Sequence, residues 1–390
     1  MIVKSFEVKI MKIALVICEY NPFQNGHAYH LAQTFSRVDC DRLICIMSGN
    51  VTQRGELAIA DKYTRAEWAI KSGADMVVEL PPEYVLTTAK YFAIGGIKIA
   101  NAIKGEKYLS FGSECKDLDT LENISLFEED DKFKSLLDSN LKQGMGYAKS
   151  FSLALNEFSP KYAEINSHPN NTLAIEYLRA IRQLSCDITP ISVARKGGDY
   201  HDENYCEVFS SASAVRKMLE NGDIESVKKS VPSHVYYSLK SYDKNMIATF
   251  NDRLYSIIKY TVQNRDLTNI HGVKEGVENR IVGALKTCED IKDFFDNIAT
   301  KRYTNSYLAR TVMNMLIDND CTAKELVENS LEYVNVLAVE ENSKDLLSLF
   351  DCAVNTKNSA LPIDSLILSA DRLYSSIYGN IPSSMSIVKR

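Results

Sequence analysis

The stretch IALVICEYNPFQNGHAYH, residues 13–30, predicts how the fold begins. Its first part, Ile13 to Cys18, is an unbroken apolar run, which is typical of a strand buried on both faces of a parallel sheet. Asn, Pro and Gly follow close together and favour a turn. From His27 onward, apolar residues recur at helical spacing. A strand, a Gly-containing turn and a helix in this order predict the opening βα unit of a nucleotide-binding domain.

The start of that helix predicts a phosphate site. A helix N-terminus presents free backbone N–H groups and the positive end of a dipole, and both attract anions. His27 and His30 are three residues apart, so their side chains share one face of the first turn. Two imidazoles there can stabilise charge that grows on phosphate oxygens during nucleotidyl transfer. A surface pair or half of a metal site is the alternative. No cluster of Cys or carboxylates adjoins the pair, so we predict no metal site.

The segment FSSASAVR, residues 209–216, predicts a second phosphate site. Ser210 or Ser211 can cap the helix that follows, which leaves free N–H groups directed at an anion. Arg216 would lie on the second helical turn and can bind phosphate oxygens as a bidentate donor. A Ser-capped helix with an exposed arginine is the ordinary alternative. Both motifs follow strands of the same predicted parallel sheet, and they occur in the expected order along the chain. This combination favours phosphate binding by both.

Short apolar runs alternate with helical patterns, which predicts an α/β, Rossmann-like parallel sheet with right-handed crossovers. The charged segment 115–165 has Leu and Phe at helical spacing and predicts a helical insertion. Beyond residue 232 helical patterns prevail, apart from a late strand at 333–339. We therefore predict a nucleotide-binding domain at 11–235 and a mainly α-helical C-terminal domain at 236–390. The strands predicted after the first are Arg42–Met47, Met76–Leu80, Tyr108–Phe111 and Thr189–Val193.

Composition indicates an ordinary globular protein. The 390 residues are 45% hydrophobic and 25% charged, which suits two or three domains. Residues 1–10 lack the apolar core of a signal peptide, and no apolar run is long enough to cross a membrane. The 9 cysteines are scattered without a CxxC pair, which is typical of reduced thiols, so we expect a cytoplasmic protein. The net charge of −6 argues against a protein coated with nucleic acid but permits a local basic patch.

The motifs carry a family resemblance. NGHAYH, residues 25–30, placed after a strand, resembles the HxGH superfamily of nucleotidylyltransferases. The longer string EYNPFQNGH, residues 19–27, resembles more specifically the bacterial tRNA(Met) cytidine acetate ligase family. MSGNVTQRGELAIADKYTRAEWAI at 47–70 and FGSE at 111–114 are closely similar to strings of that family, and FSSASAVR resembles the superfamily's ISSTxxR motif. The resemblance covers almost the whole chain from Met11.

The resemblance implies a reaction in two steps. Acetate attacks the α-phosphorus of ATP and gives acetyl-adenylate and pyrophosphate. The N4 amine of the wobble cytidine, position 34 of elongator tRNA(Met), then takes the acetyl group, giving N4-acetylcytidine and AMP. ATP, with Mg²⁺, and acetate are the implied cofactor and co-substrate, elongator tRNA(Met) is the implied partner, and we expect neither a membrane nor a stable protein partner. The residues themselves support only the ATP half. No side chain is an evident nucleophile, which fits catalysis by positioning and electrostatics.

The motifs and the resemblance together assign candidate site residues. The candidate catalytic residues are His27, His30 and Arg216. The candidate ATP-binding residues are Ile17, Cys18, Glu19, Tyr20, Asn21, Pro22, Phe23, Gln24, Asn25, Gly26, His27, His30, Gly112, Asn170, Asn171, Arg195, Ser210, Ser211 and Arg216, with either Asn170 or Asn171 as the family's ATP-holding asparagine. The candidate tRNA-binding residues are Arg54, Lys62, Arg65, Lys301, Arg302 and Arg310. A solvated helix face is the alternative for Lys62 and Arg65, and a charged helix entry is the alternative for the last three.

Two positions depart from the family pattern and keep alternatives open. Gln24 stands where the family has the first His of HxGH, and Tyr307 stands where it usually has an arginine. A glutamine amide can donate to phosphate but cannot carry a positive charge. One alternative is a different nucleotidylyltransferase with a small phosphorylated substrate, although such enzymes are usually much shorter. The other is a catalytically weakened nucleotide- or tRNA-binding relative.

Overall fold

The computed structural model describes residues 10–145, 147–195, 209–240, 244–274, 276–300, 303–356, 365–379 and 385–390. Within these ranges, no helix is both long enough and apolar enough to span a bilayer.

The strands of the described residues form one sheet around which the helices pack. They are β1 (Lys12–Cys18), β2 (Arg42–Ser48), β3 (Met76–Leu80), β4 (Glu106–Ser113), β5 (Thr189–Ala194), β6 (Tyr333–Glu340), β7 (Ala353–Asn355) and β8 (Ser386–Val388). Their order is β5-β4-β1-β2-β3-β6-β7, and β8 pairs with β6. Strands β1 to β5 are mutually parallel, so the predicted α/β class with a parallel sheet is confirmed.

The helices lie mostly where helical periodicity predicts them. They are α1 (Asn25–Val38), α2 (Lys62–Lys71), α3 (Pro82–Val85), α4 (Ala89–Asn101), α5 (Leu118–Leu126), α6 (Asp131–Lys142), α7 (Tyr147–Phe158), α8 (Pro160–Ser167), α9 (Pro169–Gln183), α10 (Ala212–Asn221), α11 (Ile224–Ser230), α12 (Ser233–Leu239), α13 (Lys244–Asn264), α14 (Val277–Ala284), α15 (Ile291–Ile298), α16 (Asn305–Ile317), α17 (Ala323–Glu328) and α18 (Ser365–Tyr378). The predicted insertion at 115–165 consists of α5 to α8 with a short 3-10 turn.

The strand order creates a crevice at β1. From β1 the chain moves outward through β2 and β3, and it then returns to the other side of β1 with β4 and β5. Ligands of open α/β sheets bind in such a crevice, at the carboxyl ends of the strands. The turn that follows Cys18 and the end of β4 at Ser113 therefore face one another across the site.

The C-terminal part is mainly helical, as predicted, but it also completes the sheet. Strand β6 runs antiparallel to β3, with Val77 opposite Ala338, and β7 and β8 then pair with β6. The late strand was predictable because its apolar residues alternate. Strands β7 and β8 are too short for a periodic pattern and were missed. Segments 11–235 and 236–390 consequently share one sheet, and both contribute to its two apolar cores.

A buried ion cluster joins the two segments. Lys62, at the start of α2, is fully buried, and its Nζ lies 2.9 Å from Glu79 Oε2 and 2.8 Å from Asp371 Oδ2. Asn50 donates from Nδ2 to Asp371 Oδ1 (2.8 Å) and accepts the Lys62 backbone N–H at Oδ1 (2.8 Å). Burial lowers the pKa of Lys62, but the two carboxylates outweigh it and hold that pKa above its usual range. Lys62 therefore stays charged inside the protein.

Arg65 is buried one turn further along α2 and binds backbone carbonyls. Its Nη1 donates to the carbonyl oxygens of Glu19 (2.6 Å) and Ser48 (3.2 Å), its Nη2 to Gly49 and its Nε to Ala60 (2.9 Å). Glu19 follows β1 and Ser48 ends β2, so one guanidinium fixes the carboxyl ends of two neighbouring strands.

The predicted RNA contacts of Lys62 and Arg65 are therefore wrong, and so is the alternative of a solvated helix face. Both side chains are 0% exposed. The spacing of Lys and Arg along a helix shows which face they share. It does not show whether that face meets solvent or buried acceptors from distant parts of the chain.

Replacing Lys62 by Met should strongly destabilise the fold. The substitution leaves two buried carboxylates side by side without their cation, and breaking a buried ion pair from one side costs about 3–5 kcal/mol. Urea unfolding measures this loss of unfolding free energy. The matched control is Lys71→Met on the same helix, because Lys71 forms an exposed pair with Glu67 (3.7 Å), worth about 0–1 kcal/mol. Equal losses from both substitutions would contradict the buried-cluster interpretation.

Candidate active site

A cavity of about 690 Å³ opens at the carboxyl ends of β1, β4 and β5, where the strand order reverses. Its size suits a nucleotide-sized ligand. The predicted ATP-binding residues that line it are Ile17, Cys18, Glu19, Tyr20, Asn21, Gln24, Gly26, His27, His30, Gly112, Asn170, Arg195, Ser211 and Arg216.

The β1–α1 turn sets the position of His27. Gln24 is the N-cap of α1, and its Oε1 accepts the Gly26 N–H. A Cβ on Gly26 would lie 2.8 Å from that oxygen, so a larger residue here would displace the Gln24 side chain from this cap. The backbone N–H of Gln24 donates to His27 Nδ1 (3.2 Å). Because a backbone N–H can only donate, Nδ1 is unprotonated and a neutral His27 carries its proton on Nε2.

Both site histidines are neutral in the free protein. Burial, followed by the charge of Arg195 and by His30, lowers the pKa of His27 from 6.5 to about 3. Burial and Arg195 lower the pKa of His30 to about 4. His30 Nε2 lies 3.0 Å from the Ser110 hydroxyl of β4, which fixes the ring against the sheet. The two imidazoles can therefore act as neutral hydrogen-bond donors, and an anion bound beside them would oppose the effect of Arg195 and raise both pKa values.

Helix α10 brings the second motif to the same cavity. Ser211 is its N-cap and accepts the Ala214 N–H at Oγ (3.1 Å), so the first turn of α10 opens toward the cavity. Arg216 donates from Nη1 to the carbonyl oxygen of Asn21 (2.8 Å), and its Nη2 lies 3.5 Å from Glu56 Oε2. The arginine of the second motif is thus anchored on the turn that carries the first motif.

The structure separates the roles of the two asparagines that the sequence left undecided. Asn170 lines the cavity and accepts from Arg195 Nη1 at Oδ1 (3.1 Å). Asn171 is 1% exposed, and its Oδ1 accepts from the Ser113 hydroxyl (2.7 Å) and from the backbone N–H groups of Glu114 and Cys115 (3.0 Å each). Asn170 therefore faces the ligand space, and Asn171 builds the turn after β4.

The remaining predicted ATP-binding residues support the cavity without lining it. Phe23 is fully buried, and its ring centroid lies 5.5 Å from that of His27. Asn25 donates from Nδ2 to the carbonyl oxygen of Lys229 (2.8 Å), and the Ser210 hydroxyl lies 3.0 Å from that of Ser230. Pro22, within the turn, is likewise buried. For these positions the motif correctly located the turn but did not predict which side chains face inward.

The candidate RNA-binding residues that remain occupy different environments. Arg54 is exposed at the cavity edge. Arg310 donates from Nη1 to the carbonyl oxygen of Gln53 (3.1 Å), and burial lowers its pKa, so it holds the loop that carries Arg54. Lys301 and Arg302 lie outside the described residues.

Sequence reasoning missed residues of the loop after β2. Gln53 and Glu56 line the cavity, and the Gln53 N–H donates to Glu19 Oε1 (2.7 Å). Burial raises the pKa of Glu19, while this hydrogen bond opposes the rise. The string QRGE, at the end of a predicted strand, was the available signal, and only its arginine was assigned.

Metal chemistry has little support from side chains in the described ranges. No group of three or more His, Cys, Asp or Glu residues there could hold a metal ion. The side chains around the cavity are compatible with an Mg²⁺ ion that arrives with the nucleotide and is held mainly by phosphate oxygens and water.

An open parallel sheet, a cavity at its switch point and two helix N-termini beside neutral imidazoles and arginines define a nucleotide-binding α/β protein of the transferase type. Comparison with known proteins extends this assignment. The family model described as HIGH Nucleotidyl Transferase matches residues 11–382. A tRNA(Met) cytidine acetate ligase of Clostridium kluyveri is 34% identical over 90% of this chain and 89% of its own length, and one of Clostridium botulinum is 33% identical over 95% and 96%.

The chain therefore belongs to the HIGH nucleotidyl transferases and, within them, to the family of tRNA(Met) cytidine acetate ligases. The crystal structure of Thermotoga maritima TmcAL bound with alpha-thio ATP is similar, with a TM-score of 0.83 and 26% identity over 97% of this chain and 100% of that one. The family resemblance read from the sequence is confirmed.

Substitutions at the two asparagines should separate binding from stability. Asn171→Ala leaves buried donors without an acceptor, so the free energy of unfolding should fall by about 1–3 kcal/mol. Asn170→Ala should weaken ATP binding with little change in stability. Urea unfolding and ATP titration of both variants measure the two effects, and a reversed pattern would contradict the assignment.

The site histidines should make stability depend on pH. His27 takes up a proton near pH 6.5 in the unfolded chain but only near about pH 3 in the native protein. Above pH 6.5 His27 is neutral in both states, and the stability is complete. As the pH falls from 6.5 toward about 3, only the unfolded chain binds the proton, so stability is lost. Between pH values of about 4 and about 6, the wild-type unfolding free energy should fall more steeply than that of His27→Gln, by at most about 1.4 kcal/mol per pH unit. Urea unfolding across this range measures both slopes, with His168→Gln, at an exposed position, as the control. Identical slopes for wild type and His27→Gln would contradict the lowered pKa of His27.

Proposed function

We propose that this protein activates acetate with ATP and transfers the acetyl group to N4 of the wobble cytidine, position 34, of elongator tRNA(Met). The observation that carries the proposal is the cavity at the sheet switch point, which brings the two phosphate motifs together. The names of the relatives support the same activity and acceptor. We also propose a cytoplasmic location, since tRNA is modified there.

In the first step, a carboxylate oxygen of acetate attacks the α-phosphorus of ATP, and pyrophosphate leaves. Negative charge moves onto phosphate oxygens during this displacement. The Nε2–H of neutral His27 and the fork of Arg216 can donate to those oxygens, and His30 supports the same face of α1. The first turn of α10, which lines the cavity, can add backbone N–H donors. Catalysis then comes from positioning and electrostatic stabilisation, without a protein nucleophile.

The pairing of Arg195 with Asn170 suggests how the nucleotide is held. Arg195 continues from β5, and its backbone N–H donates to the Ser113 carbonyl oxygen of β4 (3.1 Å). Its side chain crosses Gly112, where an added Cβ would lie 3.5 Å from Arg195 Cγ. The guanidinium therefore sits at the cavity wall, where it can meet the ribose or the phosphates.

The tRNA would approach the side of the cavity that carries the loop after β2. Exposed Arg54 lies at that edge and can bind an RNA phosphate. Arg310 holds the same loop through its hydrogen bond to the Gln53 carbonyl oxygen. Lys301 and Arg302 precede α16 in the sequence. These four cations remain proposed RNA contacts.

The alternative of a weakened relative rests on Gln24 and Tyr307, and both have structural roles here. Gln24 caps α1, and the Tyr307 hydroxyl donates to the carbonyl oxygen of Gly272. Glutamine at the cap can still donate its amide N–H to a phosphate. The departures therefore do not by themselves argue for lost activity.

Acetate-dependent exchange of pyrophosphate into ATP tests the proposed first step. The wild type should exchange only when acetate is present, and His27→Ala should lower the rate by about 10²–10³-fold because one preorganised donor is lost. The control is His234→Ala on α12, whose Nε2 lies 3.2 Å from the Ser72 hydroxyl, outside the cavity. Wild-type ATP binding without exchange would support the weakened-relative alternative, and exchange with a different acid would support the other nucleotidylyltransferase.

Gln24→His should raise the exchange rate. An imidazole can carry the positive charge that an amide cannot, and a hydrogen bond to a charged group is worth about 1.5–3 kcal/mol, or roughly tenfold or more in rate. Gln24→Ala, which removes both the cap and the amide donor, should lower the rate. A loss of activity in Gln24→His would mean that the glutamine cap is required for the geometry of this turn.

A further inference from the structure

A second cavity of about 600 Å³ adjoins the nucleotide cavity. Arg54, Glu56, Ser213 and Arg216 line both cavities, so the two spaces meet at these side chains. The rest of its wall comes from the loop after β2, from α10 and from the C-terminal helices α13, α15, α16 and α18. The proposed ATP half of the reaction assigns no role to these four C-terminal helices.

We infer that this second cavity binds the acceptor base, a cytosine taken out of the RNA stack, with its exocyclic amine directed at the junction with the nucleotide cavity. The inference rests on the proposed function and adds the place at which the acceptor binds.

The wall of the second cavity suits a nucleobase. Phe250 and Tyr378 form a ring pair with centroids 4.1 Å apart, and Phe295 and Leu254 line the same space. Enzymes that modify a base extrude it into a pocket, where it packs against aromatic or apolar side chains. Aromatic rings are the usual stacking partners of bases in single-stranded RNA, as in an anticodon loop.

Charged groups around the second cavity complement an RNA acceptor. Lys217 of α10 and Lys292 of α15 are exposed where they line it, and Arg54 lies at the junction. A base inside the cavity would place its own phosphates near these cations. Four cations, Arg54, Arg216, Lys217 and Lys292, thus line this cavity against the two carboxylates of Glu56 and Glu220, whereas the chain as a whole has a net charge of −6.

Glu56 occupies the position where the base amine would arrive. Its Oε2 lies 3.5 Å from Arg216 Nη2, and both side chains line both cavities. Carboxylates recognise cytosine by accepting from its N4 amine. Burial, followed by the charge of Glu56, raises the pKa of Tyr378 to about 12, which is consistent with Glu56 lying near the aromatic wall.

The loop that carries Glu56 is fixed by the C-terminal helices. Gly55 has a φ of +80°, and a Cβ there would lie 2.3 Å from the backbone nitrogen of Arg310 on α16. Only glycine allows the loop to pack so closely on α16. The Glu56 carbonyl oxygen also accepts the Thr52 N–H (2.9 Å). This hydrogen bond joins the two ends of the loop and fixes the backbone at Glu56.

This placement defines the transfer step. The N4 lone pair attacks the acetyl carbonyl carbon of acetyl-adenylate, and a C–N bond forms. The bond between that carbon and the phosphate oxygen breaks, and its electron pair leaves with AMP. One N4 proton passes to the Glu56 carboxylate and from there to water. Reactants and products balance without any further reagent.

Two assays on the same preparation separate this inference from the proposed function. Acetate-dependent ATP–pyrophosphate exchange reports adenylation alone, and acetylation of a tRNA(Met) transcript reports the complete reaction. Glu56→Gln should lower the ratio of acetylation to exchange by about 10²-fold, the usual contribution of a positioned general base. An unchanged ratio would overturn the role of Glu56.

Filling the second cavity tests the binding site itself. Ser306→Trp places a large side chain in the cavity wall at the start of α16, and the ratio of acetylation to exchange should fall at least about tenfold, as expected when about 1.4 kcal/mol of acceptor binding is lost. The matched control is Ser256→Trp, because Ser256 is exposed on α13 but does not line the cavity, and its ratio should equal that of the wild type. Equal ratios for both variants would overturn the cavity assignment, whereas absence of exchange in the wild type would overturn the proposed function instead.

A photochemical experiment needs no variant and so does not depend on folding. A tRNA(Met) transcript with 4-thiouridine in place of the wobble cytidine is irradiated on the wild-type protein, and cross-linked peptides are identified by mass spectrometry. Cross-links should fall on α13, α15 or α18. Cross-links confined to other surfaces would overturn the inference.

Discussion

The site depends on one buried interaction, the guanidinium of Arg65 bound to backbone carbonyl groups. It joins Glu19, just after β1, to Ser48, at the end of β2, and so fixes the edge of the sheet where the nucleotide cavity opens. A buried cation is tolerated only when its donors are satisfied. Carbonyl groups at strand ends have no partner within the sheet, and Arg65 provides one. Lys62, one turn earlier, extends the same support to α18 through Asp371.

The geometry of the site fits positioning and electrostatics better than acid–base chemistry on the nucleotide. His27 is held as a neutral donor by the backbone of its own turn, and burial keeps it unprotonated until an anion arrives. Gln24 supplies the cap that fixes this turn. Gln24 thus fixes the geometry of the turn, although its amide cannot carry a positive charge.

The C-terminal segment links the nucleotide site to the space where an acceptor can bind. Strand β6 places this segment against β3, and α16 then supports the loop that carries Glu56 and Arg54. The two cavities meet at this loop. The same fold thus provides a polar site for phosphates and, beside it, an aromatic one.

The sequence by itself determined the parallel sheet, the helix starts that carry the two motifs and the family, because those signals are local: an apolar run, a turn and a helix start within a few residues. Only the tertiary structure decided that Lys62 and Arg65 are buried, that Asn170 rather than Asn171 faces the ligand space, and that a second cavity exists. Each of these depends on partners far away in the chain, such as Asp371 for Lys62. A helical charge pattern has the same periodicity whether its cations meet water or buried carboxylates, so packing alone distinguishes the two.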